Sequence, residues 1–123
     1  MEDEGGRSPA DLLGDFPVSF ALLQEVEHAV SELGDVEVET SKSQIAFRRR
    51  RQFAYVWRPG QYVASDVPLV LSVALPYKLA SERFKEVAHP SERVWMHHLE
   101  LRAAQDVDEE VRGWLAAAYA NAG

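Results

Sequence analysis

The run Leu69-Val70-Leu71-Ser72-Val73-Ala74-Leu75 constrains the fold more than any other feature. It is far too short to span a bilayer. It is apolar at nearly every position, so it reads as the central strand of a sheet, ended by Pro76. The chain supplies partners for it. Val36 and Val38 alternate with Glu37 and Glu39, the pattern of a half-buried strand. Ile45 to Arg48 and Phe53 to Trp57 are the next two strands, followed by a Pro59-Gly60 loop. Arg83 to His89 and Trp95 to Leu101 read as a hairpin around Pro90-Ser91-Glu92-Arg93.

Helical periodicity brackets these strands. Ser8-Pro9 has the form of an N-cap followed by proline at the first helical position, opening a short turn that ends at Gly14. Pro17 opens a longer helix. Val18, Leu22, Val26, Ala29, Val30 and Leu33 recur at its spacing, and Gly34 closes it. At the other end, Asp106 is the expected N-cap, with Glu109 at capping-box spacing. Val107, Val111, Trp114, Leu115, Ala118 and Tyr119 then form one apolar stripe. The expected fold is α+β: an antiparallel sheet of five to six strands with an N-terminal and a C-terminal helix packed on it. The length of 123 residues suits one domain, expected over residues 9–123, after a disordered, acidic and glycine-bearing stretch over residues 1–8.

Charge is unevenly distributed. The net charge is −7, yet residues 41–57 hold five basic residues and no acid. Residues 1–40 carry eleven acids against Arg7 alone. A dedicated duplex-binding protein is basic over a whole face, so nucleic acid is disfavoured as a partner. No apolar run is long enough to cross a membrane. Cysteine is absent, which excludes disulfides, thiol chemistry and thiolate metal sites. A cytoplasmic protein, monomeric or homodimeric, is the expectation.

The basic island is the sequence SKSQIAFRRRRQFAYVW. Two readings compete. The four arginines can crown an exposed hairpin tip, keeping it soluble and blunting an edge. Alternatively, Arg49 or Arg51 with Lys42 can line a pocket walled by Tyr55 and Trp57. Guanidinium groups bind carboxylate or phosphate bidentately and stack on rings. Strict alternation puts Ile45, Phe47, Phe53, Tyr55 and Trp57 on one face. A symmetric loop would then pair Phe47 with Phe53 and Ile45 with Tyr55.

The histidines offer a second chemistry. Trp95, His97, Leu99 and Leu101 share the core face of their strand, while Met96, His98 and Glu100 share the other. A buried His97 is either a hydrogen-bonded core residue or a general acid or base tuned near neutrality. Metal binding fits poorly, because His97 and His98 point to opposite faces, and His89, Glu86 and Glu100 add no motif spacing. Lys42 between Ser41 and Ser43 has no surrounding glycine elbow, and no glycine loop cradles a phosphate. No cofactor is implied. Trp57 and Trp114 are expected in the core, leaving room for an aromatic cavity between sheet and helix.

The stretches TSKSQIAFRRRRQFAYVWRPGQY, FKEVAHP, WMHHLEL and DVDEEVRGWLAAAY resemble a bacterial family called domain of unknown function 5655. The resemblance runs from about Phe20 to Tyr119, and Lys42-Ser43, the Ala-Phe-Arg start and the Trp-Leu…Ala-Tyr ending are its most specific parts. It implies a small cytoplasmic α+β domain and carries no established activity or catalytic residue. The residues themselves favour a binding domain for an anionic small molecule, with Lys42, Arg49, Arg51, Tyr55, Trp57 and Trp95 as candidate contacts. The alternatives are an enzyme acting on a small acidic metabolite with His97 as acid or base, and a structural or partner-binding module.

Overall fold

A computed structural model describes residues 8–123. The stretch expected to be disordered lies, apart from Ser8, outside the described residues. Helices α1 (Pro9–Leu13) and α2 (Pro17–Ser31) precede six strands: β1 (Glu37–Thr40), β2 (Ile45–Arg48), β3 (Gln52–Trp57), β4 (Leu69–Leu75), β5 (Phe84–Ser91) and β6 (Val94–Leu101). Helix α3 (Glu109–Asn121) follows. The fold is α+β, as the periodicities predict. The strands form one antiparallel sheet in the order β1-β2-β3-β4-β6-β5. The apolar strand β4 lies inside the sheet, between β3 and β6, where both its edges find partners.

Helices α2 and α3 pack on one sheet face. The row Ile45–Val56–Leu71–Leu99 crosses four neighbouring strands on that side, and all four residues are buried. Against it lie Leu22, Leu23, Val26 and Val30 of α2, with Val111, Leu115 and Ala118 of α3. The salt bridge from Arg112 to Glu32, 2.9 Å, joins the two helices. No described helix is long and apolar enough to cross a membrane.

Several local expectations change. Asp108, not Asp106, caps α3, accepting from the Val111 N–H at 3.1 Å. Asp106 closes a short 3-10 turn instead, and its carboxylate accepts from the N–H groups of Arg102 and Ala103. Two acids two residues apart both satisfy the capping pattern, and the intervening turn decides between them. Val38 and Val18 are 45% and 57% exposed: Val38 lies on the edge strand β1, beside an open groove that α2 borders, and Val18 sits at the entry of α2. Gly34 has φ +143°, a left-handed conformation favouring glycine. A Cβ there would collide with the Tyr119 hydroxyl.

The pairing of the arginine hairpin also departs from strict alternation. Phe47 pairs with Ala54 and Ile45 with Val56, but Arg48 pairs with Gln52. Phe53 is therefore the extra residue of a β-bulge. The bulge turns Phe53 toward the helices, where it is buried and meets Tyr119 edge-on at 5.6 Å. It also moves Tyr55 to the position opposite Ala46, on the face away from the helices. Trp57 shares that face, so it leaves the helix-side core where the sequence placed it. Alternation fails here because one residue is inserted into β3 without a partner.

Candidate functional site

The face away from the helices carries the row Glu39–Ala46–Tyr55–Ser72–His98–Glu86, one residue from each of the six strands. Next to it on β3 is Trp57. The loop between β3 and β4 brings Tyr62 beside Trp57, with ring centres 6.0 Å apart. The amide of Gln61 donates to the Ser43 carbonyl at 2.7 Å and anchors this loop to the β1–β2 turn. Tyr55, Trp57, Tyr62, Ser72 and His98 line an open cavity of about 440 Å³, which Gln44, Gln52 and Met96 complete. Its size falls within the range of small-molecule sites.

Hydrogen bonds fix the cavity floor. The Trp57 indole can only donate, and it donates to Ser72 Oγ at 3.0 Å. Ser72 Oγ lies 2.7 Å from His98 Nδ1 and can hand its own proton there. Nε2 of His98 makes no hydrogen bond to a described residue. Burial holds the His98 pKa below the ordinary histidine value, against a smaller opposing pull from Glu86, so the ring is neutral at neutral pH. Gln52 is held at both ends: its amide donates to Glu39 at 2.9 Å and its oxygen accepts from the Tyr55 hydroxyl at 2.9 Å. Burial raises the Tyr55 pKa, and the Glu39 carboxylate adds to this, so the phenol stays protonated. The side chain of Gln44 makes no hydrogen bond to a described residue.

Ser72 and His98 have the spacing of a nucleophile and its base. Ser72, however, is only 2% exposed and accepts the Trp57 indole proton. The pair's geometry is that of a linker between two rings of the cavity wall.

The structure separates the residues that the sequence grouped. Tyr55 and Trp57 line the open-face cavity. Arg49 and Arg51 lie at the end of α3 instead. Arg49 donates to the Tyr119 carbonyl at 3.0 Å and stacks over the Tyr119 ring at 4.3 Å. Arg51 donates to the Asn121 carbonyl. The Arg50 main-chain N–H donates to the Ala122 carbonyl at 3.2 Å. Arg48 lies within 3.8 Å of Glu37 and 3.7 Å of Glu39. The run thus satisfies the orphan carbonyls and the negative end of α3, which has no basic residue of its own in its last turn. Lys42 is exposed in the β1–β2 turn. Trp95 stacks on His89, with ring centres 3.6 Å apart and an 8° interplanar angle.

His97 has 0% exposure and is not among the residues lining the open-face cavity. It accepts from the Leu79 N–H at Nε2, 3.0 Å, and donates from Nδ1 to the Val73 carbonyl, 3.2 Å. Phe84 packs on the ring at 4.8 Å. Sequence reasoning passed over His98, Ser72, Gln44, Gln52, Met96 and Tyr62 as site residues. His98, Met96 and Ser72 carried a usable signal, since alternation along their strands sets them opposite the leucines. Among the described residues no group of three histidine or carboxylate side chains could hold a metal ion.

Fold and cavity define a class: a small α+β domain with helices on one sheet face and a ring-lined cavity on the other. The family model described as Domain of unknown function (DUF5655) matches residues 11–122, and the chain belongs to that family. Comparison with curated proteins and with solved structures finds no match.

Proposed function

We propose that this domain binds a small, planar, uncharged ring compound with hydrogen-bonding edges, such as a nucleobase-sized heterocycle, in the open-face cavity. One observation carries this reading. Tyr55, Trp57 and Tyr62 supply ring surface beside two polar groups, His98 Nε2 and the Gln44 amide, that no described residue satisfies. Aromatic walls with a few convergent polar groups are the usual makeup of a ligand site. The charge of the ligand follows from the lining. It contains no lysine or arginine, its histidine is neutral, and Glu39 and Glu86 stand in the same row. An anionic ligand, the expectation from the arginine run, has no cation to meet at Tyr55 and Trp57.

The test is a titration with adenine, uracil and their 5′-monophosphates, read by amide and indole chemical shifts. The expected result is saturable shifts at Trp57, Ser72 and His98 with the free bases. Binding should weaken at least tenfold in His98→Ala, and the phosphorylated forms should bind less tightly. If the bases leave those signals unmoved, or the monophosphates bind better, the reading fails.

A further inference from the structure

A second cavity, of about 320 Å³, lies at the opposite end of the hairpin from the Trp57 ring. Its position follows from the topology. Strands β3 and β6 both run antiparallel to β4 and flank it. Their N-terminal ends therefore meet at the C-terminal end of β4, where Pro76 stops the strand. Arg51 precedes β3 and Arg93 precedes β6, so two arginines border one notch from its two sides. Phe53, Leu75 and Val94 from the sheet, with Ala118 of α3 and its capping residue Ala122, give the notch an apolar side, and Gln52 and Asn121 add polar groups. The small helix residues leave the space open, and the bulge at Phe53 displaces β3 beside it.

We infer that this notch is a binding site for a small organic monocarboxylate with an apolar body. Two cations border it and no acidic residue lines it. Arg51 gives one donor to the Asn121 carbonyl, which offsets the negative end of α3 at the site. The rest of its five-donor fork remains for a ligand. Arg93 is exposed and makes no hydrogen bond or ion pair with a described residue. A carboxylate between the two guanidinium groups would take charge-assisted bonds from both. The apolar side formed by Phe53, Leu75 and Val94 selects against polyphosphates, whose remaining charge would be desolvated there. The volume matches about ten water-sized groups, the scale of a benzoate or a six-carbon acid. This site shares only Gln52 with the open-face cavity and does not depend on it.

The experiment compares benzoate and hexanoate with benzamide and hexanol, by calorimetry and by amide shifts at Phe53, Val94 and Ala122. Parent protein, Arg93→Gln and Trp57→Phe are titrated in parallel. Arg93 has no described partner to lose, and equal melting temperatures would verify that the Gln variant is folded. The expected result is saturable carboxylate binding, with the neutral analogues at least about tenfold weaker and a similar loss in Arg93→Gln. Trp57→Phe should bind carboxylates like the parent, which separates this site from the open-face one. Equal affinity for acid and amide, undiminished binding by Arg93→Gln, or no saturable carboxylate binding would each overturn the inference.

Discussion

Replacing His97 with leucine tests whether this ring is a structural pin. Leucine nearly refills the volume, so the cavity penalty is small. The hydrogen bonds are what disappear. The Leu79 N–H loses its acceptor, and the Val73 carbonyl loses a donor. A buried main-chain group left unpaired costs about 1–3 kcal/mol. The carbonyl has a second lone pair, so its share lies at the low end. The expected loss is about 2–4 kcal/mol, a large part of the ~5–15 kcal/mol that stabilises a typical domain. Urea denaturation should show a lower midpoint with an unchanged slope. Native-state hydrogen exchange should show a localised effect, because His97 pins the β4–β5 connection through Leu79. The Leu79 amide should exchange far faster, ahead of the core strands. Heterocycle binding at Trp57 and His98 should survive, since His97 is on the other sheet face. A variant within about 0.5 kcal/mol of the parent, with Leu79 still protected, would refute the pin. Loss of ligand binding in a folded variant would instead return His97 to the site.

Three further outcomes follow from the same structure. Arg49→Ala should cost about 1–2 kcal/mol through its carbonyl bond and its stacking on Tyr119. Arg50→Ala should be near neutral in the same melting assay, because its contact with Ala122 is through the main chain; equal losses would mean that charge alone matters. For His98, burial lowers the folded pKa, so the unfolded chain takes up the proton first. Stability should therefore be full above about pH 6.5 and fall as pH drops through that value, down to the folded pKa. His98→Gln should flatten that limb of a pH-dependent denaturation series, and an unchanged limb would assign it elsewhere. Gly34→Ala should be destabilising, because it imposes a strained φ and a clash with Tyr119. Its melting temperature would be compared with that of Gly113→Ala, where a Cβ meets open space.

Asp108 gives acid stability a clear sign. The Val111 N–H and then Arg83 hold its pKa below the usual carboxylate value. Its contribution is therefore present above about pH 3.9 and is lost as pH falls through the lower folded value. Arg83 also donates to Glu110 and to the Asp106 carbonyl, tying the start of α3 to the beginning of β5.

The amino-acid sequence alone marks which segments are helices and strands, and that β4 is internal. Local period and apolar content suffice for that, since they report how each segment meets a buried surface. It also determined that His97 and His98 face opposite ways, because no irregularity interrupts β6 between them. What the arginines and aromatics of the hairpin do emerges only once the strands and α3 are packed together. One unpaired residue at Phe53 shifts the register, so the rings that alternation grouped are divided between two faces of the sheet. The arginines look free in sequence because their partners are main-chain carbonyls about 70 residues away, at the end of α3. A carbonyl leaves no trace in the residue type that carries it. The basic island therefore could not be read as a helix cap until α3 was seen to end against it.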